Sequence, residues 1–442
     1  MTRRVLMISP HFPPDSSAGT HRVRLLAPHL VEHGWEPTVL SVDPRDVPGR
    51  LDPSLARLVP AHVRVIHARA WSVHWTRRVG IGDLGLRALT GLWQRATELL
   101  RHERFHAVYI TTYPTYPALV GPALRRRFAL PFVLDYQDPW VGEWGRTVGP
   151  GPNGKPDLKS RLSRALATWL EPIVLARTDA VTAVSAGVVD ALRARTPVVG
   201  LRPSAVIPVG GEPADFDQVW RSPRPNRFFD PIDGQIHGCV VGTLLPLGLE
   251  TLRATCLALA DLRSKRPLLG KALRLHFLGT SNRTDPAALE RARPIALECG
   301  VDDCVSEVAP RLDYLDALTV QTQASFLLLL GSSEPHYTPS RLYPALLAKR
   351  PILAVYHAAS SAASILHRVA RPPSVRLVTY DGRNRALSRV PALASALGDL
   401  ATAPQYDPAD VDPVALAEYG AKAQAGRLAA LLDEVSWHRA SA

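Results

Sequence analysis

Short runs of apolar residues alternate along the chain with longer segments whose apolar positions recur at helical spacing. Val5-Leu6-Met7-Ile8 is a β-rich run without polar alternation, as a strand buried on both faces of a parallel sheet requires. Beyond the proline-containing loop His11 to Gly19, the positions Val23, Leu25, Leu26, Leu30 and Val31 mark a helix ended by Gly34, and Thr38 to Val42 marks the next strand. The βαβ unit then recurs. Strands are predicted at 107–110, 131–135, 180–184 and 205–207, with helices at 119–128 and 158–176. A second series follows, with strands at 239–242, 273–278, 325–330 and 351–355 and helices at 250–262, 287–299 and 342–348. Between the two series, Pro208 to Gln235 contains Gly210-Gly211 and prolines at 213, 223, 225 and 231, the composition of a linker.

The predicted fold class is therefore α/β, with two doubly wound Rossmann-like domains, residues 1–210 and 211–413, in a chain of 442 residues. Residues 414–442 hold an amphipathic helix that need not belong to the domain before it and is free to return to the first.

Charge adds an asymmetry. The chain carries 52 Lys and Arg against 40 Asp and Glu, and residues 1–210 hold 27 basic and 16 acidic side chains, nearly the whole excess. A GC-rich genome accounts for the preference for Arg, but not for its uneven distribution. The asymmetry points to an anionic partner for the first half: nucleic acid, a phospholipid surface or a phosphate-bearing substrate. No nucleic-acid-binding motif accompanies the charge, and nucleic acid is not an expected partner. The segment Leu84 to Leu100 is apolar at helical spacing and flanked by Arg; a core-facing helix is the favoured reading, an interfacial helix on anionic lipid the alternative. The four cysteines lie in the second half without a CxxC pair, so neither a metal site nor a disulfide framework is expected, and a reducing cytoplasm fits. No apolar run approaches the roughly 20 residues of a membrane span.

In an open α/β sheet, ligands bind outside the carboxyl ends of the strands, and three segments at such positions carry candidate chemistry. In the first, Gly19 allows close backbone approach, the helix start beyond it favours an anion, and Arg22 adds charge; a rigid Pro-rich turn with a surface Arg is the less favoured alternative. The second, Asp135-Tyr136-Gln137-Asp138-Pro139-Trp140, sets two carboxylates three residues apart, suited to acid–base work or metal binding, or simply to starting a turn. In the third, Ser340-Arg341 stands near a helix start, where a guanidinium suits a diphosphate, and Gly242-Thr243 supplies backbone donors to the same phosphates, although an ordinary capped helix reads equally from these residues.

At these residues the chain resembles the family 4 glycosyltransferases of the GT-B fold, in particular bacterial members acting on surface polysaccharides and related glycoconjugates. Ile8-Ser9-Pro10-His11-Phe12-Pro13-Pro14 with Gly19 and Arg22 is similar to the family's first strand and acceptor-side loop. Leu134 to Trp140 is similar to its D-x-R-D-x-W segment, with Gln137 where Arg is usual. Ile207-Pro208-Val209-Gly210-Gly211-Glu212 to Phe216 resembles the interdomain I-P-N-G-x-D-x-x-x-F, and Ser340 to Ala354 resembles the donor-binding helix S-K-L-x-E-Y-L-A-A-G-K-P-I-L-A. Two departures stand out: Pro344 replaces the carboxylate that holds the donor ribose, and Gly242 to Gly248 lacks the Arg and Lys that commonly neutralise the diphosphate.

The resemblance implies two Rossmann-like domains facing across a cleft. It also implies transfer of a sugar, with retention of configuration, from a nucleotide-sugar donor to a hydroxyl of a glycan, glycolipid or small-molecule acceptor. No metal or other cofactor is expected, because helix N-termini and basic side chains stabilise the departing phosphate in such enzymes. The implied donor site is Gly242, Thr243, Glu334, Ser340 and Arg341. Asp138, His11 and His21 are the candidates for acceptor-side catalysis, Asp138 foremost, and Gly19 and Arg22 form the acceptor-side loop. The expected location is cytoplasmic and peripheral at the inner face of the membrane, with an anionic membrane surface as a partner. The alternative is a GT-B-like partner or scaffold that no longer binds a donor.

Overall fold

The computed structural model describes residues 2–142, 146, 155–244, 246–281, 288–332 and 340–440, with residues 438–440 described by their backbone only. The chain divides into two compact units, Met1–Val209 with Ala421–Ala442, and Gly210–Gly420.

The first unit is built on a seven-stranded sheet in the order β3-β2-β1-β4-β5-β6-β7. Its strands are β1 (Arg3–Ile8), β2 (Trp35–Val42), β3 (Arg64–Ala68), β4 (Ala107–Thr111), β5 (Phe132–Tyr136), β6 (Ala180–Ala183) and β7 (Ser204–Val206). Every pairing is parallel. The strand order reverses between β1 and β4, which pair from Val5 with Ala107 to Ile8 with Ile110. The second unit repeats the plan with six parallel strands in the order β10-β9-β8-β11-β12-β13. These are β8 (Ile236–Val241), β9 (Leu273–Leu278), β10 (Val305–Val308), β11 (Phe326–Leu330), β12 (Ile352–His357) and β13 (Val375–Tyr380). Here the reversal lies between β8 and β11. The α/β, doubly wound prediction holds for both units.

Central strands such as β4 and β11 are buried along their whole length and are the ones their apolar runs predict. The strands β3, β10 and β13 fall outside those predictions. They lie at sheet edges, where only part of each strand is covered, and accordingly carry Arg64 and His67, Ser306 and Glu307, and Arg376 and Thr379.

The helix Leu84–His102 buries Leu84, Ala88, Leu92, Ala96 and Leu99 in the core of the first unit. Its core-facing reading holds, and the lipid-surface alternative is overturned for this helix. The stretch 208–235 is not simply linker. Pro213–Arg221 is a helix whose Glu212 accepts from Ala214 N–H, and it buries Phe216 and Val219. The helix expected over 287–299 is shorter, Ala292–Glu298, because the Glu307 carboxylate receives the N–H groups of Arg291, Ala292 and Arg293 and fixes the helix start there.

The single helix expected from Val414 to Val435 is two. Pro413–Ala417 belongs to the second unit and is capped by Asp412, which accepts from Val414 and Ala415 N–H. Beyond Gly420, the helix Ala421–Ala440 belongs to the first unit, where Leu428 and Leu432 enter a core cluster with Val5, Met7, Leu26 and Trp35. Trp35 Nε1–H donates to Asp433 at 2.7 Å and fixes the rotation of this helix.

Candidate functional site

The switch point of each sheet sits at the carboxyl ends of its two central strands, and the loops there hold most of the sequence candidates. In the first unit, the loop after β1 runs past His11 into the helix Thr20–Leu30. Asp15 is buried and holds this loop: it accepts from Ser17 N–H at 3.0 Å and Ser17 Oγ–H at 2.8 Å, and it bonds His11 Nδ1. Burial opposes the charge on Asp15, but the bonds from His11 and Ser17 outweigh it and hold the carboxyl below the ordinary aspartate range. The His11 ring lies 5.6 Å from the ring of Tyr113, in the loop after β4. A Cβ on Gly19 would run into that tyrosine ring, which explains the glycine by close approach rather than by its backbone angles.

The helix start beyond Gly19 is less open to an anion than expected, because Thr20 N–H already donates to Ser17 O and Arg22 N–H to Gly19 O. Arg22 itself is a correction. Instead of reaching a ligand, its guanidinium is 1% exposed and forms a two-pronged pair with Asp135 on β5, with Nε–H donating at 2.9 Å. Its remaining edge donates to the carbonyls of Ile207 and Pro208, at the end of the unit's last strand. Thr182 Oγ–H donates to the same carboxylate at 2.7 Å. Burial works against the charge on Arg22, and Asp135 beside it more than restores it. Of the two carboxylates in Asp135–Asp138, the first is therefore structural. Asp138 lies past the end of β5 with its surface accessible, yet the protein around it raises its carboxyl above the ordinary value by desolvation. His21 is half-buried on the second residue of its helix, with Arg24 at 3.4 Å.

In the second unit, β8 runs into Gly242, whose φ of +114° lies in the left-handed region that favours glycine. Gly242 N–H continues the sheet by donating to Leu278 O at 2.8 Å. Arg341, just before the helix Leu342–Leu347, donates to Thr243 O at 3.2 Å and to Leu330 O, at the end of β11, at 3.1 Å. The loop after β8 and Arg341, separated by about a hundred residues in the sequence, are thus joined at the switch point. Thr251 Oγ–H is shared between Gly248 O and Gly331 O and ties the exits of β8 and β11 together. The Leu342–Leu347 helix has only six residues, so the guanidinium rather than a helix dipole supplies the positive charge here. Ser340 is exposed beside it. Glu334 lies outside the described residues. Pro344 occupies the first helical turn with no carboxylate at that position.

A residue missed in the sequence is Arg291. It stands 47 positions from the glycine loop, yet its guanidinium donates to Leu244 O. The loop lacks basic residues of its own, and the fold delivers one from the start of another helix. Nothing in local spacing signals that pairing.

Residues 18–210 match the glycosyl transferase 4-like domain family. Among solved structures, the chain is similar to Alr3699/HepE of Anabaena in complex with UDP and glucose, at 13% identity and a TM-score of 0.58, covering 98% of this chain and 100% of that one. It is also similar to a UDP-forming α,α-trehalose-phosphate synthase from Burkholderia vietnamiensis, at 11% identity and a TM-score of 0.59, covering 99% of this chain and 100% of that one. A UDP-N-acetylglucosamine 2-epimerase from Listeria monocytogenes, described as putative, shares the fold at 10% identity, a TM-score of 0.52, and coverage of 100% and 98%. No curated protein matches the chain in sequence. The fold with its two switch points is the GT-B fold of these similar structures, and the likeness in sequence to the glycosyl transferase 4-like family lies in residues 18–210.

Proposed function

We propose that the protein moves a sugar from a nucleotide-sugar donor to a hydroxyl of a glycan, glycolipid or small-molecule acceptor. In this reaction the anomeric carbon exchanges its bond to the β-phosphate for one to the acceptor oxygen. The hydroxyl proton leaves that oxygen, and a nucleoside diphosphate departs. The observation that carries the reading is Arg341 held on the Gly242–Thr243 loop at the switch point of the second sheet. A guanidinium at that place meets the negative charge that develops on the leaving diphosphate, and Arg291 on the same loop adds a second. Two cations from side chains provide what a divalent metal supplies elsewhere, so metal independence belongs to the proposal, as does retention of configuration. Uridine diphosphate is the proposed leaving group, because the similar HepE and trehalose-phosphate synthase structures are described with UDP.

On the first unit, Asp138 orients the acceptor hydroxyl, and His11, fixed through Nδ1 by Asp15 in the loop after β1, is the second acceptor-side group. The protein acts in the cytoplasm in polysaccharide assembly, peripheral to the inner face of the membrane. Calorimetric titration with UDP tests the donor site: the native protein binds and Arg341→Ala binds far more weakly. Equal affinities would remove Arg341 from the site. Pro344, with no carboxylate for a ribose, favours the scaffold reading instead, and a native protein that binds no nucleoside diphosphate at all would establish it.

A further inference from the structure

The helix Leu158–Leu175 of the first unit has two apolar faces, and only one is needed for folding. Its inner face buries Ala167, Val174 and Leu175 in the core, and buried Glu171 pairs with Arg195 at 3.1 Å. On the opposite side, Leu158, Leu162, Leu166, Trp169 and Ile173 are 38 to 75% exposed. At about 100° per residue these five positions fall within an arc of roughly 80°, a continuous stripe along the helix. Beside it lies a second exposed apolar group. Lys159 Nζ–H donates to Gly80 O at 2.7 Å, which joins the helix to the segment bearing Trp71, Trp75 and Val79, themselves 64 to 74% exposed. Two exposed apolar groups tied together by this bond are the kind of surface that marks an interaction site.

Charge identifies the occupant. Residues 71–82 hold Arg77 and Arg78 and no carboxylate. From Lys155 to Leu170 there are Lys155, Lys159, Arg161 and Arg164 against Asp157 alone, whose carboxylate is engaged by Ser160 N–H at 2.8 Å as the helix cap. Arg78 lies over the Trp75 ring at 4.4 Å, setting a cation directly above an exposed aromatic face. A second copy of the chain would bring these like charges together. Tryptophan and leucine ringed by Lys and Arg is instead the composition that seats an element in the headgroup region of an anionic bilayer.

We propose that the outer face of Leu158–Leu175, with Trp71, Trp75 and Val79, is the surface by which this protein lies on anionic phospholipid membranes. The surface rests on the membrane-peripheral location proposed above and not on the donor chemistry. It also replaces the Leu84–His102 helix, whose apolar face is in the core.

Vesicle flotation tests it, using phosphatidylglycerol–phosphatidylcholine vesicles and phosphatidylcholine alone. The native protein floats with the anionic vesicles at low salt and is released by added NaCl. The double variant Leu162→Asn/Trp169→Asn, altered only at exposed positions, loses at least about tenfold in partitioning. Arg77→Glu/Arg78→Glu loses a comparable amount. Arg126→Glu/Arg127→Glu makes the same charge change on another exposed part of the unit and keeps most of the binding. UDP titration of every variant reports separately on the folded donor site. No flotation of the native protein would overturn both the membrane location and this surface. Flotation unaffected by the Leu162/Trp169 pair, or lost equally with Arg126/Arg127, would overturn the surface alone. So would conversion of a native oligomer to a monomer by the Leu162/Trp169 pair without any change in lipid binding.

Discussion

The switch points of the two sheets use arginine in opposite ways. In the first unit, Arg22 is sealed in the interior and matched edge to edge with Asp135, its remaining edge donating to the carbonyls of Ile207 and Pro208. In the second, Arg341 is half-buried and held by the neutral main-chain oxygens of Thr243 and Leu330. A guanidinium bonded through both edges in a dry interior is a strut. One anchored through carbonyls beside a glycine loop brings its charge to that loop. Both stand next to a helix start after a central strand, so position alone does not separate them; burial does, with Arg22 1% exposed and Arg341 half-buried.

That contrast is open to direct attack. The largest effect belongs to Arg22→Ala, which leaves Asp135 charged and buried without its partner and costs about 3–5 kcal/mol of stability in urea denaturation. A loss below about 1 kcal/mol would remove the strut. Arg341→Ala behaves in the opposite sense, lowering UDP affinity by about ten- to a hundredfold, the worth of a charge-assisted bond, while stability changes by less than about 1 kcal/mol. Arg291→Ala follows with a drop of roughly three- to tenfold by the same titration, since it reaches the loop at one edge only. The smallest effect is a pH dependence. The folded-state pKa of Asp15 lies below its unfolded value of 3.8, so its stabilising contribution is complete above that value and is lost as pH falls through the folded pKa. The stability difference between the native protein and Asp15→Asn is therefore constant near neutrality and shrinks in acid. A difference that grows as pH falls would contradict the Asp15 bonds.

What could be read before the structure follows the same physics. Val5 to Ile8 and Phe326 to Leu330 are covered on both faces, and full coverage demands the uninterrupted apolar runs that announce them. The edge strands β3, β10 and β13 are only partly covered, so their polar residues erase the signal. Gly242 and Arg341 were legible, and could be assigned to the same phosphates, because each follows a readable strand. Arg22 was misassigned because its partner, Asp135, stands 113 positions away, and only strand order brings β5 near the first helix. Arg291 was invisible for the same reason, since its contact with Leu244 O arises from tertiary placement. The break at Gly420 is marked by a residue that suits helix ends, but the continued apolar spacing from Val414 to Val435 outweighs it in a reading of pattern alone.

The most direct measurement is nucleoside diphosphate release during incubation with a panel of nucleotide sugars, read for the native protein and for Arg341→Ala. The account predicts release from a uridine diphosphate sugar by the native protein, sharply reduced in the variant. Absence of release from every sugar in the panel, or equal release by both proteins, would contradict it.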